Sequence, residues 1–269
     1  MYAYSWMPGS RTDVGPVRRP VRARPPTLVH LEITRFAAGK PTCPEAMARG
    51  LLPLMQLLML DLDNTLVDRD AAFRAAATAL LAEHALPETD IDWLMTLDAS
   101  GYTPKPAVAE AMADRYGAAL PESAIRTLLD RGAADRVALA GTTREALAKA
   151  LSRGWTCVIV TNGRTVQQEA KIRNTGLDRL VQGWVISEHV GHEKPGPEIF
   201  HAAAEAVGAP LIGGWIIGDS PHADIAGANA LGLRSVWVSG GRRWLQDTYR
   251  PTHVAGDVSS AINFVISTT

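Results

Sequence analysis

The sequence predicts an α/β fold, a parallel sheet covered by helices on both faces with a small all-helical segment inserted after the first strand. Three observations carry that prediction. Short, unbroken apolar runs (LLML, TCVIV, WVIS, WIIG and SVWVS) alternate with helix-length segments, and strands that are apolar on both faces belong to parallel sheets buried between helices. Between the first run and the second, the tract from Asp70 to Leu139 contains no convincing strand. Several of the runs end in polar side chains rather than in ordinary turn residues.

The elements follow in order. Leu57–Leu60 is the first strand. AAFRAAATALLAEHAL is rich in strong helix formers with Leu and Ala at helical spacing. IDWLMTL, PAVAEAMADRY and ESAIRTLLDRGAADRVAL read as further helices, broken at GYTPKP and between Gly117 and Pro121. TREALAKALSR then precedes the strand TCVIV, and VQQEAKIRNTG is a helix closed by Gly176, a residue suited to the left-handed cap. The strand WVIS, the proline-opened helix GPEIFHAAAEAVG, the strand WIIG, the helix HADIAGANALG and the strand SVWVS come next. DVSSAINFVI, with its Asp/Ser start, closes the chain as a helix. The expected organisation is a Rossmann-like core from 55–69 and 140–269, with a helical cap at 70–139.

The first 54 residues differ in kind. They carry eight Arg and Lys against three Asp and Glu, and MPGSRTDVGPVRRPVRARPPT has neither helical nor strand periodicity. That composition reads as an Arg/Pro-rich disordered extension; a transit segment or an arm for acidic partners is the functional alternative. The compact part is expected to begin near Met55. Over the whole chain of 269 residues the formal charge is −1, so there is no electrostatic case for binding nucleic acid or membrane. Two cysteines, Cys43 and Cys157, make no disulfide framework or metal cluster, and cytoplasm is the expected compartment. Monomer and homodimer both remain open.

In open parallel sheets, ligands bind beyond the carboxyl ends of the strands. Here those ends offer Asp61, Asp63 and Thr65 in LMLDLDNT, then Thr161, Asn162 and Gly163 in VIVTNG, then Asp219 and Ser220 in WIIGDS with Asp224 beyond. The loop EHVGHEKPGPEIF adds Lys194. A lone Asp at a strand end is ordinarily an N-cap or turn residue, TNG alone is a common turn, and an isolated loop lysine is ordinarily solvated. Those readings absorb each residue singly but not their recurrence at the same end of successive strands. Clustered carboxylates need a cation or a proton, and hard oxygen ligands without Cys or paired His suit Mg²⁺. TNG has the donors of an anion site, and Lys194 is placed to hold a phosphoryl oxygen.

DLDNTLVD at 61–68, TNG at 161–163, Lys194 ahead of PGPEIF, and GDSPHAD at 218–224 resemble the four ordered motifs of the haloacid dehalogenase-like hydrolases. The resemblance runs from about Leu57 to the C-terminus, and the helical tract is similar to the cap of the phosphoglycolate phosphatase-like branch. It implies Asp61 as nucleophile, forming an aspartyl phosphate, and Asp63 as the acid for the leaving alkoxide and then the base for water. It implies that Thr161 and Lys194 hold the phosphoryl oxygens with Asn162 in support. Mg²⁺ would be bound by Asp61, the Asp63 backbone carbonyl and Asp219, with Asp224 as a further acid. Dehalogenating members lack an acid at the second position, because a halide leaves without a proton. Asp63 therefore favours phosphoryl transfer.

The expected function is a Mg²⁺-dependent phosphomonoester hydrolase for a small phosphorylated metabolite. Transfer to a second sugar, as in a phosphomutase, is the enzymatic alternative, and a non-catalytic binding module on the same fold is the other. Arg69 and Phe73, where the chain leaves the first motif, and Tyr102 and Lys105, between cap helices, are candidates for substrate selectivity. Hinge and solvated-loop roles are equally open to them.

Overall fold

A computed structural model describes residues 56–268. The Arg/Pro-rich extension, Cys43 and the start at Met55 lie outside the described residues. Strand β1 (Gln56–Leu60) leads into the helices α1 (Arg69–Glu83), α2 (Ile91–Asp98), α3 (Lys105–Tyr116) and α4 (Glu122–Thr127). Helix α5 (Gly141–Ser152) then precedes β2 (Trp155–Thr161), α6 (Thr165–Thr175) and β3 (Gly183–Ile186). Next come α7 (Ser187–Val190), α8 (Pro197–Ala206), β4 (Trp215–Gly218) and α9 (Gly227–Ala230). The chain finishes with β5 (Arg234–Val238), β6 (His253–Ala255) and α10 (Val258–Ser267).

The strands form one six-stranded sheet in the order β3-β2-β1-β4-β5-β6, parallel at every pairing. Successive side chains of a strand point to opposite faces, and in β1 both faces are covered. Leu58 and Leu60 join Ile159 and Ile217 against Leu147 of α5 and Ile262 and Val265 of α10. Leu57 and Met59 join Val158 and Ile216 against Ile199 and Phe200 of α8. Leu60 is fully buried, so Leu60→Ala is expected to cost about 2–5 kcal/mol through lost transfer energy and a cavity, measurable by urea unfolding.

The helical tract has an apolar cluster of its own, in which Phe73, Ala77 and Leu81 of α1 meet Leu94, Met112 and Ile125. Three details differ from the sequence expectation. The segment ESAIRTLLDRGAADRVAL does not continue as one helix: after α4 the backbone widens into a π turn at Leu128–Gly132 and then leaves helical geometry. HADIAGANALG likewise opens with a π turn, Pro221–Ala226, before α9. The third is β6, a three-residue strand that pairs with β5 and has too few residues for a periodic signal. Gly176 does close α6 in the left-handed region, at φ 73°, and Asp257 caps α10 by accepting from the Ser260 N–H at 2.8 Å.

Candidate active site

Strand β1 lies between β2 and β4, so the connections leaving it run in opposite directions across the sheet, and the crevice at such a switch point is where ligands bind. The ladder continues one residue beyond β1, because the Asp61 N–H donates to the Ile217 carbonyl at 2.9 Å. Asp61 is thereby set between Thr161 at the end of β2 and Asp219 just past β4. The chain then turns tightly: the Leu62 carbonyl accepts from Leu66 and Val67 at 3.0 and 3.1 Å, with Asn64 in the left-handed region at φ 57°.

Asp61, Asp219 and Asp224 form the acid cluster, each offering a carboxylate oxygen within 4.8 Å of the others. Lys194 sits among them with 5% of its surface exposed. Its ammonium donates to Asp61 at 2.6 Å, to Asp224 at 2.7 Å and to the Val160 carbonyl at 2.8 Å. Burial alone would strip its proton, but Asp224 and Asp61 outweigh that and hold it charged. The Thr65 hydroxyl donates to the second oxygen of Asp61 at 3.1 Å, and the Ser220 N–H donates to Asp224 at 3.0 Å.

The close approach of Gly218 to Asp224 is part of the cluster's geometry. A Cβ at position 218 would fall 2.1 Å from an Asp224 carboxylate oxygen. Gly218→Ala is therefore expected to displace that carboxylate and abolish turnover, while circular dichroism shows the fold retained. Full activity in this variant would mean that the position of Asp224 is immaterial.

Asp61 and Asp219 are strongly perturbed. Burial pushes Asp61 up to about 7, with Lys194 opposing and Asp224 and Asp63 adding to the rise. Burial followed by Asp61 and Asp224 pushes Asp219 up to about 8, against the pull of Arg242, whose guanidinium donates to its carboxylate at 3.1 Å. Both carboxyls thus hold protons more tightly in the folded chain than in the unfolded one. The stability this contributes is fully present below about pH 4 and is lost as pH rises through about 7 to 8. An all-oxygen cluster that resists ionisation is a donor set suited to a divalent cation such as Mg²⁺. Added Mg²⁺ is expected to raise Tm more at about pH 8 than at about pH 5. An equal rise at both values would mean that it does not bind these carboxylates.

Asp63 points elsewhere. Lys171 Nζ donates to both of its oxygens at 2.7 Å, and Gln168 Nε2 donates to one at 3.0 Å. Its side chain is accordingly not part of the acid cluster, and the resemblance assigned only its backbone carbonyl to the metal. Neither Lys171 nor Gln168 was singled out from the sequence. They lie three apart on α6, on the same face, and Lys171 also donates to Gln168 at 2.8 Å. A lysine and a glutamine on a helix ordinarily signal solvent, yet these are 5% and 2% exposed.

The TNG segment works differently from its composition. Asn162 clamps the backbone of Lys194, donating to its carbonyl at 2.9 Å and accepting from its N–H at 2.8 Å. The Thr161 hydroxyl is buried and accepts from Gln168 at 2.6 Å. The Gly163 N–H is used by Ser187 at 3.0 Å, so it is not turned toward a ligand.

Of the four selectivity candidates, Phe73 is 2% exposed and belongs to the apolar cluster of the helical tract. Arg69 pairs with Asp98 and with Asp70 and lies over the Phe73 ring, and both it and Phe73 also line the cleft around Asp61. Tyr102 is 72% exposed, yet its hydroxyl donates across to Ser220 at 3.0 Å. Lys105 lines the same cleft as Asp61, a space of about 1440 Å³.

With polar groups at the ends of β1, β2 and β4 and Lys194 brought among them, the chain belongs to the haloacid dehalogenase-like hydrolases, whose family pattern matches residues 58–238. Among curated relatives it is similar to a phosphoserine phosphatase of Thermus thermophilus, 35% identical over 112 residues, 42% of this chain and 45% of that protein. It is also similar to a glyceraldehyde 3-phosphate phosphatase of Pyrococcus abyssi, 31% identical over 37% of this chain and 42% of the relative. The chain thus matches under half the length of these two relatives. Among solved structures, magnesium-bound YfnB of Bacillus subtilis superposes with a TM-score of 0.62 at 24% identity, over 79% of this chain and 99% of that one. The L-2-haloacid dehalogenase of Xanthobacter autotrophicus gives 0.62 at 16% identity, over 80% and 100%; at these identities the likeness is one of fold.

Proposed function

We propose that this chain is a Mg²⁺-dependent phosphomonoester hydrolase that acts on a small phosphorylated metabolite through an aspartyl phosphate on Asp61. The observation that carries the reading is the setting of Asp61 at the sheet's switch point, its carboxylate held by Lys194 and Thr65 beside Asp219 and Asp224. The phosphatase names of the relatives support it, and so does an acid at Asp63, which a halide leaving group would not require.

Asp61, Asp219 and Asp224 would hold Mg²⁺, which supplies positive charge against the dianion and polarises the phosphoryl oxygens. Lys194 adds a cation, buried and fixed in advance, where charge accumulates in the transition state. In the first half-reaction an Asp61 oxygen bonds to phosphorus as the ester oxygen leaves, and Asp63 gives that oxygen its proton. In the second, Asp63 takes a proton from water as the water oxygen attacks phosphorus and releases the Asp61 carboxylate. Splitting the displacement lets one site serve both halves. The three hydrogen bonds that Asp63 accepts from Lys171 and Gln168 suit the base half; acting as an acid requires release from Lys171. Helices α1–α4 serve as the cap that excludes water and meets the leaving group.

The test is inorganic phosphate release from a panel of small monoesters, with and without Mg²⁺. Metal-dependent release from at least one supports the proposal. Absence of release from every monoester would overturn it.

A further inference from the structure

Among the described residues lining the cleft, Lys105 has an ammonium that makes no hydrogen bond. Lys105 opens helix α3, an N-terminus without a side-chain cap and without an acid in its first turn. A lysine there opposes the helix dipole, which favours negative charge at that end. Its Nζ is shielded from solvent and makes no hydrogen bond. The acid it faces, Asp130, is 3.7 Å away and accepts from Arg164 at 3.0 Å. The other cations near it are engaged: Lys171 with Asp63, and Arg69 with Asp98 and Asp70. Burial first, and then Arg164, push the Lys105 ammonium down to about 8, with Asp130 opposing and Lys171 and Arg69 adding smaller effects.

A shielded ammonium that makes no hydrogen bond and shares its facing acid with Arg164 is costly, and one placed at the positive end of a helix among further cations is costlier still. A ligand anion would relieve every one of these terms together. Lys105 lines the same cleft as the acid cluster, and that space exceeds the ~300–1,000 Å³ typical of small-molecule sites. The room extends well beyond a single phosphoryl group.

From this placement, and on the hydrolase reading above, we propose that the substrate carries a second anionic group, a carboxylate or a second phosphate, on its leaving-group side, bound by Lys105 at the N-terminus of α3. Lys105 is then a specificity residue: it touches the part of the substrate that departs and not the phosphorus under attack.

The test compares three matched monoesters: propyl phosphate, 3-phosphooxypropanoate and 1,3-propanediol bisphosphate. The wild-type chain is expected to favour one or both of the esters that carry a second anionic group over propyl phosphate by about tenfold or more in kcat/KM, mostly through KM. Whichever of the two is preferred identifies the carboxylate or the phosphate as the anion. Lys105→Met is expected to lower kcat/KM for the preferred ester at least about tenfold more than for propyl phosphate, and Lys105→Arg to restore part of the difference. Equal kcat/KM for all three esters in the wild type would overturn the proposal. So would an equal loss on all three in Lys105→Met, which marks a merely structural lysine. If the wild type hydrolyses none of these and not p-nitrophenyl phosphate either, the hydrolase reading itself falls and takes this inference with it.

Discussion

Asp61→Asn is expected to abolish phosphate release, by about 10⁴-fold or more, while leaving the fold intact. The magnitude is that of deleting a nucleophile that acts as a unit with its neighbours. An amide is isosteric with the carboxylate, can still accept from Lys194 through its one oxygen while its NH₂ donates to the Thr65 hydroxyl, and cannot form the acyl phosphate. Stability should change little, because the substitution removes a buried carboxyl that is pushed up to about 7 by its surroundings and leaves Asp224 to pair with Lys194 at 2.7 Å. The check is phosphate release alongside a thermal melt. Full activity in the folded variant would show that Asp61 is not the nucleophile.

Lys194→Met is expected to be the most damaging single change to both stability and activity. Lys194 is the cation that holds Asp61 and Asp224 together, with side chains 3%, 10% and 1% exposed. Removing one partner of a buried charge pair leaves the other uncompensated, at about 3–5 kcal/mol. Here Asp224 loses its cation and Asp61, which Lys194 holds down, is pushed further above about 7, so a cost within that range applies at neutral pH. At about pH 4 Asp61 is protonated with or without Lys194, so its share of the loss should vanish and the total should shrink. Urea unfolding of the two proteins at the two pH values measures this. A penalty independent of pH would place its cause in lost packing of the lysine stem rather than in uncompensated charge.

The core of the fold was readable because its signals are local. Runs such as WIIG and SVWVS are apolar throughout, and nothing but a sheet covered on both faces accommodates several of them between helices. The unread parts lack such a signal. His253–Ala255 becomes a strand only because β5 offers it an edge. The widening after α4 accompanies the close approach of Gly132 to Ala76 on α1, where a Cβ would fall 2.9 Å from its neighbour, a contact between residues distant in the chain.

The candidate site divides along the same line. Asp61, Asp219, Asp224 and Lys194 were legible because each follows a recognisable strand or motif, and the sheet's order brings them together. The partners of Asp63 were not. Lys171 and Gln168 sit on a helix that reads as solvated, and their burial is a consequence of how α6 packs beside the crevice. Asn162 shows the intermediate case: its position was evident, but its use as a clamp on the Lys194 backbone depends on a loop 32 residues away. Arg69 and Phe73 have the chemistry and position of selectivity residues, and only the contacts with Asp98 and the apolar cluster show them engaged within the helical tract.

The most direct test of the account is to find where the phosphoryl group resides during turnover. The full chain, mixed with a hydrolysed monoester and Mg²⁺ and quenched in acid within the first turnovers, is digested and its peptides are analysed by mass spectrometry. The account predicts a hydroxylamine-sensitive acyl phosphate on Asp61, absent from the Asp61→Asn chain. Covalent phosphate on any other residue, or hydrolysis that continues undiminished in Asp61→Asn, would contradict it.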